Sequence, residues 1–159
     1  MLMYLSYDYI NPNLITNNNV KMNFNWQSKT LLIIEDDYAS YLFLKEVLLN
    51  TEIKIIRAIS LKQAIENLTL NIKIDMVIMN INIYGDNIHK SISEVKRYCA
   101  YTPIIAITEQ DSIDAKSDCI QAGCDTFIYR HIDRFQLLNT IDELLDRSNI
   151  LNSLNFRSG

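Results

Sequence analysis

The stretch Leu31-Leu32-Ile33-Ile34-Glu35-Asp36-Asp37 decides how the chain is read. Four consecutive large aliphatic residues offer no polar face, so they suit a strand buried on both sides. The run stops abruptly at three acids, which places charge at the strand's carboxyl end. Downstream, Tyr38 to Leu49 predicts a helix with Ala39, Phe43 and Val47 on one face and Leu42 beside them. Ile53 to Ile59 is a second β-branched run, and Ser60 with Gln63 forms a capping box that opens a helix through Leu68. Met76-Val77-Ile78-Met79 predicts another buried strand, followed by a helix over Ser91 to Tyr98. Ile104 to Ile107 follows Pro103, a proline tolerated at a strand entrance. Ser112 to Ala122 predicts a helix stopped by Gly123, and Thr126 to Tyr129 a short strand. Asp133 caps a last helix whose stripe is Phe135, Leu138, Ile141, Leu144 and Leu145. Strands alternating with helices imply an α/β fold: a doubly wound, five-stranded parallel sheet with five helices.

Outside residues 29–146 the pattern is lost. Residues 1–28 carry Asn11, Asn13, Asn17, Asn18, Asn19, Asn23 and Asn25 without a strand or helix period. They are expected to form an arm or linker, with Trp26 packing on the domain. Residues 147–159 are expected to be a tail. At 159 residues and 48% hydrophobic content, the chain can build one buried core. A net charge of −4 gives no electrostatic route onto nucleic acid or an anionic membrane. No apolar run is long enough to span a bilayer, and the first residues lack a basic n-region, so a cytoplasmic location is expected. Cys99, Cys119 and Cys124 fit a reducing compartment, and no His or Cys cluster completes a metal site around them.

In a doubly wound sheet, ligands bind beyond the carboxyl ends of the strands, at the switch in strand order. The predicted strands run into Glu35-Asp36-Asp37, Asn80-Ile81-Asn82, Thr108-Glu109 and Arg130-His131. An acidic cluster, an amide, a hydroxyl and a cation are thus expected at one sheet edge. These stretches resemble two-component response-regulator receiver domains. Leu31 to Asp37 is similar to the receivers' first strand and acidic pair. Asp75 to Asn80 resembles the third strand, Thr102 to Thr108 the fourth, and Ala122 to Arg130 the fifth. The helix Tyr41-Leu42-Phe43-Leu44-Lys45-Glu46-Val47-Leu48 also looks like receivers joined to hybrid sensor kinases.

The resemblance implies a flavodoxin-like receiver topology and transfer of a phosphoryl group from a phosphohistidine to an aspartate, assisted by Mg²⁺. It assigns Glu35 and Asp36 to the metal-binding pair and the backbone carbonyl of Asn82 to a third metal ligand. Thr108 takes the hydroxyl position and Phe127 the aromatic switch position. The central residue departs from the pattern. Asn80 stands where the phospho-accepting aspartate belongs, and its amide has no anionic oxygen with which to attack phosphorus. Arg130 replaces the usual lysine, exchanging a point charge for a planar fork, and is expected to pair with Asp36 across the pocket. Tyr84, Ile88 and His131 occupy loop positions that usually hold Pro or Gly, so the peptide before His131 is expected to be trans.

Three readings of function are open. The first is an atypical, non-enzymatic receiver acting through phosphorylation-independent contact with a signalling protein: a histidine kinase, a phosphotransfer protein or an output domain. A homodimer through the fourth helix, fifth strand and fifth helix belongs to the same reading. The second is a residual phosphotransfer receiver that uses Asp36 or Asp37, with Mg²⁺ held weakly after loss of one ligand charge. The third, a flavin-type enzyme on the same topology, needs a phosphate-cradling loop after the first strand, where Glu35-Asp36-Asp37 would repel it.

Overall fold

The structure is a computed structural model, and it describes residues 24–70, 72–82, 87–109, 113–130 and 133–155. Its strands and helices alternate: β1 (Thr30–Ile34), α1 (Tyr38–Leu48), β2 (Lys54–Ala58), α2 (Leu61–Thr69), β3 (Met76–Asn80), α3 (Ile88–Tyr98), β4 (Ile104–Thr108), α4 (Ile113–Ala122), β5 (Thr126–Tyr129) and α5 (Arg134–Asn155). A 3₁₀ turn, Leu49–Thr51, closes α1. The five strands are all parallel, in the order β2-β1-β3-β4-β5. This is the flavodoxin-like doubly wound sheet expected from the sequence, and its order reverses between β1 and β3.

The pleat splits the central strands between two cores. Leu31, Ile33, Met76, Ile78, Ile105 and Ile107 face α1 and α5, together with Leu44, Val47, Leu137, Ile141 and Leu144. Leu32, Ile34, Val77, Met79, Ile104 and Ala106 face the other way, with Ala64, Ile92, Val95 and Cys119 from α2, α3 and α4. Strands β1, β3 and β4 are buried almost throughout, which is why they read as unbroken apolar runs. β2 is an edge strand with partly exposed side chains, so the β-branched run of Ile53 to Ile59 overstates its burial.

Two helix faces differ from expectation. In α1 the buried residues are Leu44, Val47 and Leu48, whereas Leu42 and Phe43 are 42% and 46% exposed. That helix is apolar nearly all round, so its spacing does not single out one stripe. In α5, Leu137, Leu138, Ile141, Leu144 and Leu145 are buried but Phe135 is 58% exposed. Phe135 lies in the first turn, two residues before the fully buried Leu137. Helix α3 starts at Ile88, earlier than the predicted Ser91, and α5 runs to Asn155 through the predicted tail. Ser60 caps α2 as predicted, but the side chain of Gln63 accepts from the backbone of Ile59 rather than Ser60. Gly123, at φ 105°, ends α4. Tyr84 and His131 lie outside the described residues.

Trp26 packs on the domain as expected and joins its core. It is 5% exposed, and its backbone donates to Thr51 while its indole donates to Asp142 of α5 at 2.9 Å. It therefore ties the incoming chain to the 3₁₀ turn and to α5 at once. Replacing Trp26 with alanine is expected to cost about 3–5 kcal/mol, read from urea unfolding as a lowered midpoint. A loss below about 1 kcal/mol would mean that Trp26 merely rests on the surface.

Candidate functional site

Every strand-end residue picked out in the sequence and described in the structure lies at the carboxyl edge of the sheet, because parallel register brings those ends level. Asn80 pairs in register with Ile107, and Thr108 with Tyr129. Glu35 follows β1 directly and is 2% exposed; Asn80, the last residue of β3, is 6% exposed; Thr108 is buried at the end of β4.

The centre of the site is one amide on one carboxylate. Asn80 Nδ2 donates to Glu35 Oε1 at 3.0 Å and reaches Oε2 at 3.1 Å. The other end of the amide fixes its orientation. Asn80 Oδ1 accepts from the backbone N–H of Asn82 at 3.0 Å, and an N–H can only donate. The nitrogen must therefore face Glu35. Glu35 Oε1 also accepts from the backbone N–H of Asp37 at 3.0 Å. Burial pushes the Glu35 carboxyl above its ordinary range, against the opposing pull of the Asn80 hydrogen bond.

Thr108 Oγ1 donates to the side chain of Asn82 at 3.1 Å, so Asn82 is engaged through both its side chain and its backbone. Asp36 is exposed, and its Oδ1 accepts from the Asp37 N–H at 3.0 Å. Asp37 is the N-cap of α1, with Oδ2 accepting from the backbone N–H of Ser40 at 2.7 Å and from its hydroxyl at 2.5 Å. The Ser40 hydroxyl, then the Ser40 backbone, hold the Asp37 carboxyl below the usual range, with a smaller contribution from Arg130. Arg130 does not pair with Asp36 as expected. It pairs with Asp37 at 3.3 Å and with Glu109, and it contacts the hydroxyl of Ser40. Its guanidinium is held on the α1 side because Asp37, fixed as a cap, and Glu109, next to Thr108, present carboxylates there. Phe127 is half-buried and meets Tyr129 edge-on, with ring centroids 5.2 Å apart.

Sequence reasoning overlooked Arg57. From β2 it donates to the backbone carbonyls of Glu35 at 3.2 Å and Asp36 at 3.0 Å. Its guanidinium also lies 4.6 Å from the ring centre of Tyr41 and 5.3 Å from that of Tyr38. The signal was a cation set between Ile55-Ile56 and Ala58, within the apolar part of β2. A cleft of about 530 Å³ opens beside the site, between α1 and the ends of β4 and β5, with Phe43, Ile107, Tyr129 and Arg130 in its lining.

The donor set does not fit Mg²⁺, which takes oxygen ligands in a near-octahedral arrangement. The atom that Asn80 turns towards Glu35 is a nitrogen with no available lone pair, and its oxygen is turned away to a backbone N–H. Among the described residues, no group of three or more Asp, Glu, His or Cys side chains is placed to hold a metal ion.

The response regulator receiver domain family matches residues 31–142, which is most of the chain. The chain belongs to that family. Solved receivers share its fold at low identity. A response regulator receiver domain protein from Methanospirillum hungatei JF-1 is 20% identical with a TM-score of 0.69, the match covering 76% of this chain and 96% of that one. A two-component response regulator from Clostridium difficile is 22% identical with a TM-score of 0.68, covering 76% and 98%. A receiver domain protein from Clostridium thermocellum is 18% identical with a TM-score of 0.70, covering 77% and 98%. No curated protein matches the chain. Among the described residues of this receiver, no helix is long and apolar enough to cross a membrane.

The buried pair sets two expectations. Asn80→Asp puts a second carboxylate against Glu35 and removes the donor that satisfies it. It should lower stability by about 1–3 kcal/mol without metal and regain part of that with Mg²⁺, read by thermal melts in both conditions. An Asn80→Asp chain as stable as the wild type without metal would contradict the geometry. The second expectation concerns pH. Because burial raises the folded pKa of Glu35 above its ordinary 4.5, the folded chain holds that proton more tightly than the unfolded chain. The contribution of Glu35 is therefore complete below that value and is lost as pH rises through the folded pKa. The wild type should lose stability relative to Glu35→Gln over that rise, measured by urea unfolding at several pH values; a flat difference would contradict the shift.

Proposed function

We propose that this receiver signals without aspartyl phosphorylation, as a binding module whose output is set by contact with a signalling partner. The supporting observation is the Asn80–Glu35 pair. A phosphoacceptor needs an anionic oxygen at the end of β3, and phosphoryl transfer needs a cation to neutralise charge on the moving group. Asn80 supplies neither the nucleophile nor a metal ligand on the Glu35 side. The site then has no turnover chemistry, and the protein is not an enzyme in this reading.

Residual transfer to the neighbouring acids finds little support. Asp37 is committed to capping α1 and to Arg130. Asp36 is the exposed carboxylate left, and it stands beside a pair that offers no metal cage. The face of α4, β5 and α5 suits contact with a kinase, a phosphotransfer protein, an output domain or a second copy. Described residues of these elements expose large apolar side chains: Ile120 at 48%, Tyr129 at 41%, Phe135 at 58% and Ile150 at 60%. Arg130 joins this face to the former phosphorylation site, following Tyr129 directly in sequence. Contact in a cytoplasmic setting, with neither nucleic acid nor membrane, completes the proposal.

Acetyl phosphate with Mg²⁺, followed by intact mass measurement, tests it. The wild type should keep its mass, while Asn80→Asp gains one phosphoryl group. A stoichiometric gain by the wild type, mapped to Asp36 or Asp37, would overturn the proposal.

A further inference from the structure

Two thiols meet where α4 gives way to β5, away from the carboxyl edge of the sheet. Helix α4 ends in a Schellman motif. Gly123, in the left-handed region at φ 105°, donates its N–H to the carbonyl of Ile120, and Cys124 donates to the carbonyl of Cys119, both at 3.0 Å. Such a motif brings the side chains of its first and last residues together, usually as a small apolar contact. Here both are cysteines. Cys119 is fully buried and Cys124 is 5% exposed, in the same core cluster.

We propose that Cys119 and Cys124 are a modification site at the α4–β5 junction, closed to a reversible disulfide by a hydroperoxide. The backbone bond between the two residues already sets the short separation that a disulfide spans. One thiolate attacks one peroxide oxygen, the O–O bond breaks, and water leaves after protonation, giving a sulfenic acid. The other thiol then attacks that sulfur, and a second water leaves with its proton. Two thiols and one hydrogen peroxide give one disulfide and two waters.

The surroundings hold the pair in register. The stem of Lys96 crosses over Gly123, and its ammonium binds the carbonyl of Thr102 at 2.8 Å and the carboxylate of Asp125 at 3.1 Å. Asp125 also accepts from the backbone of Ile104 at 2.9 Å. The disulfide would thus pin the end of α4 to a β5 start already anchored on β4. Cys99 is set apart: it donates to the carbonyl of Val95 at 3.2 Å, and burial raises its pKa.

The test uses the full chain with Cys99→Ser, treated with hydrogen peroxide, quenched with catalase, then alkylated in denaturant. The expected product has both thiols protected, a mass lower by two hydrogens within the tryptic peptide 117–130, and a raised melting temperature that dithiothreitol resets. Both thiols still open to alkylation, or a sulfinic acid in place of the disulfide, would overturn the proposal. In Cys119→Ser and in Cys124→Ser the peroxide-induced rise in melting temperature should vanish; a rise that survives either substitution would overturn the proposal.

Discussion

The structure of the site depends on a single hydrogen-bonded contact, the Asn80 amide against the Glu35 carboxylate. Glu35 is carried into the protein by β1, whose last four residues are all buried, so its carboxylate cannot turn out to water. A buried charge needs a cation or donors. In a metal-binding receiver the cation is Mg²⁺. Here the donors are the side chain of Asn80 and the backbone of Asp37. At the end of β3, Asn80 therefore brings Glu35 a neutral donor rather than another carboxylate.

Around that contact, protein cations hold the acidic loop through its backbone and through Asp37. Arg57 grips the backbone of Glu35 and Asp36 from β2, stacked against two tyrosines of α1. Arg130 takes Asp37 and Glu109 from the end of β5. The planar guanidinium suits this task better than an ammonium, since it can bind two carboxylates on separate edges. The acidic loop is thereby tied to β2, α1, β4 and β5. Its strands keep the receiver arrangement.

The fold was legible because β1, β3 and β4 are buried on both faces, which leaves no polar residue inside their runs to blur the signal. Capping by Ser60, and the stop at Gly123, were equally legible because each rests on local backbone chemistry. The helix faces were not. In α1 almost every position from Tyr41 to Leu44 is apolar, so choosing between Phe43 and Leu44 requires knowing where the sheet lies. The site residues came from the strand ends, where parallel register guarantees a meeting. Their partners did not: the place of Arg130 depends on Asp37 being fixed as a cap, and Arg57 arrives from an edge strand whose function is invisible until β2 is set beside β1. Trp26 shows the same limit, since its partner in α5 is distant in sequence.

The most direct test of the account is the side-chain amide of Asn80, observed by NMR in the uniformly ¹⁵N-labelled chain during a Mg²⁺ titration. If the amide is clamped between Glu35 and the backbone of Asn82, its two protons should be resolved, slow to exchange with solvent and unmoved by millimolar Mg²⁺. Averaged, rapidly exchanging protons, or a saturable shift of Asn80 together with Glu35 and Asp36, would show an open, metal-binding pocket and contradict the account.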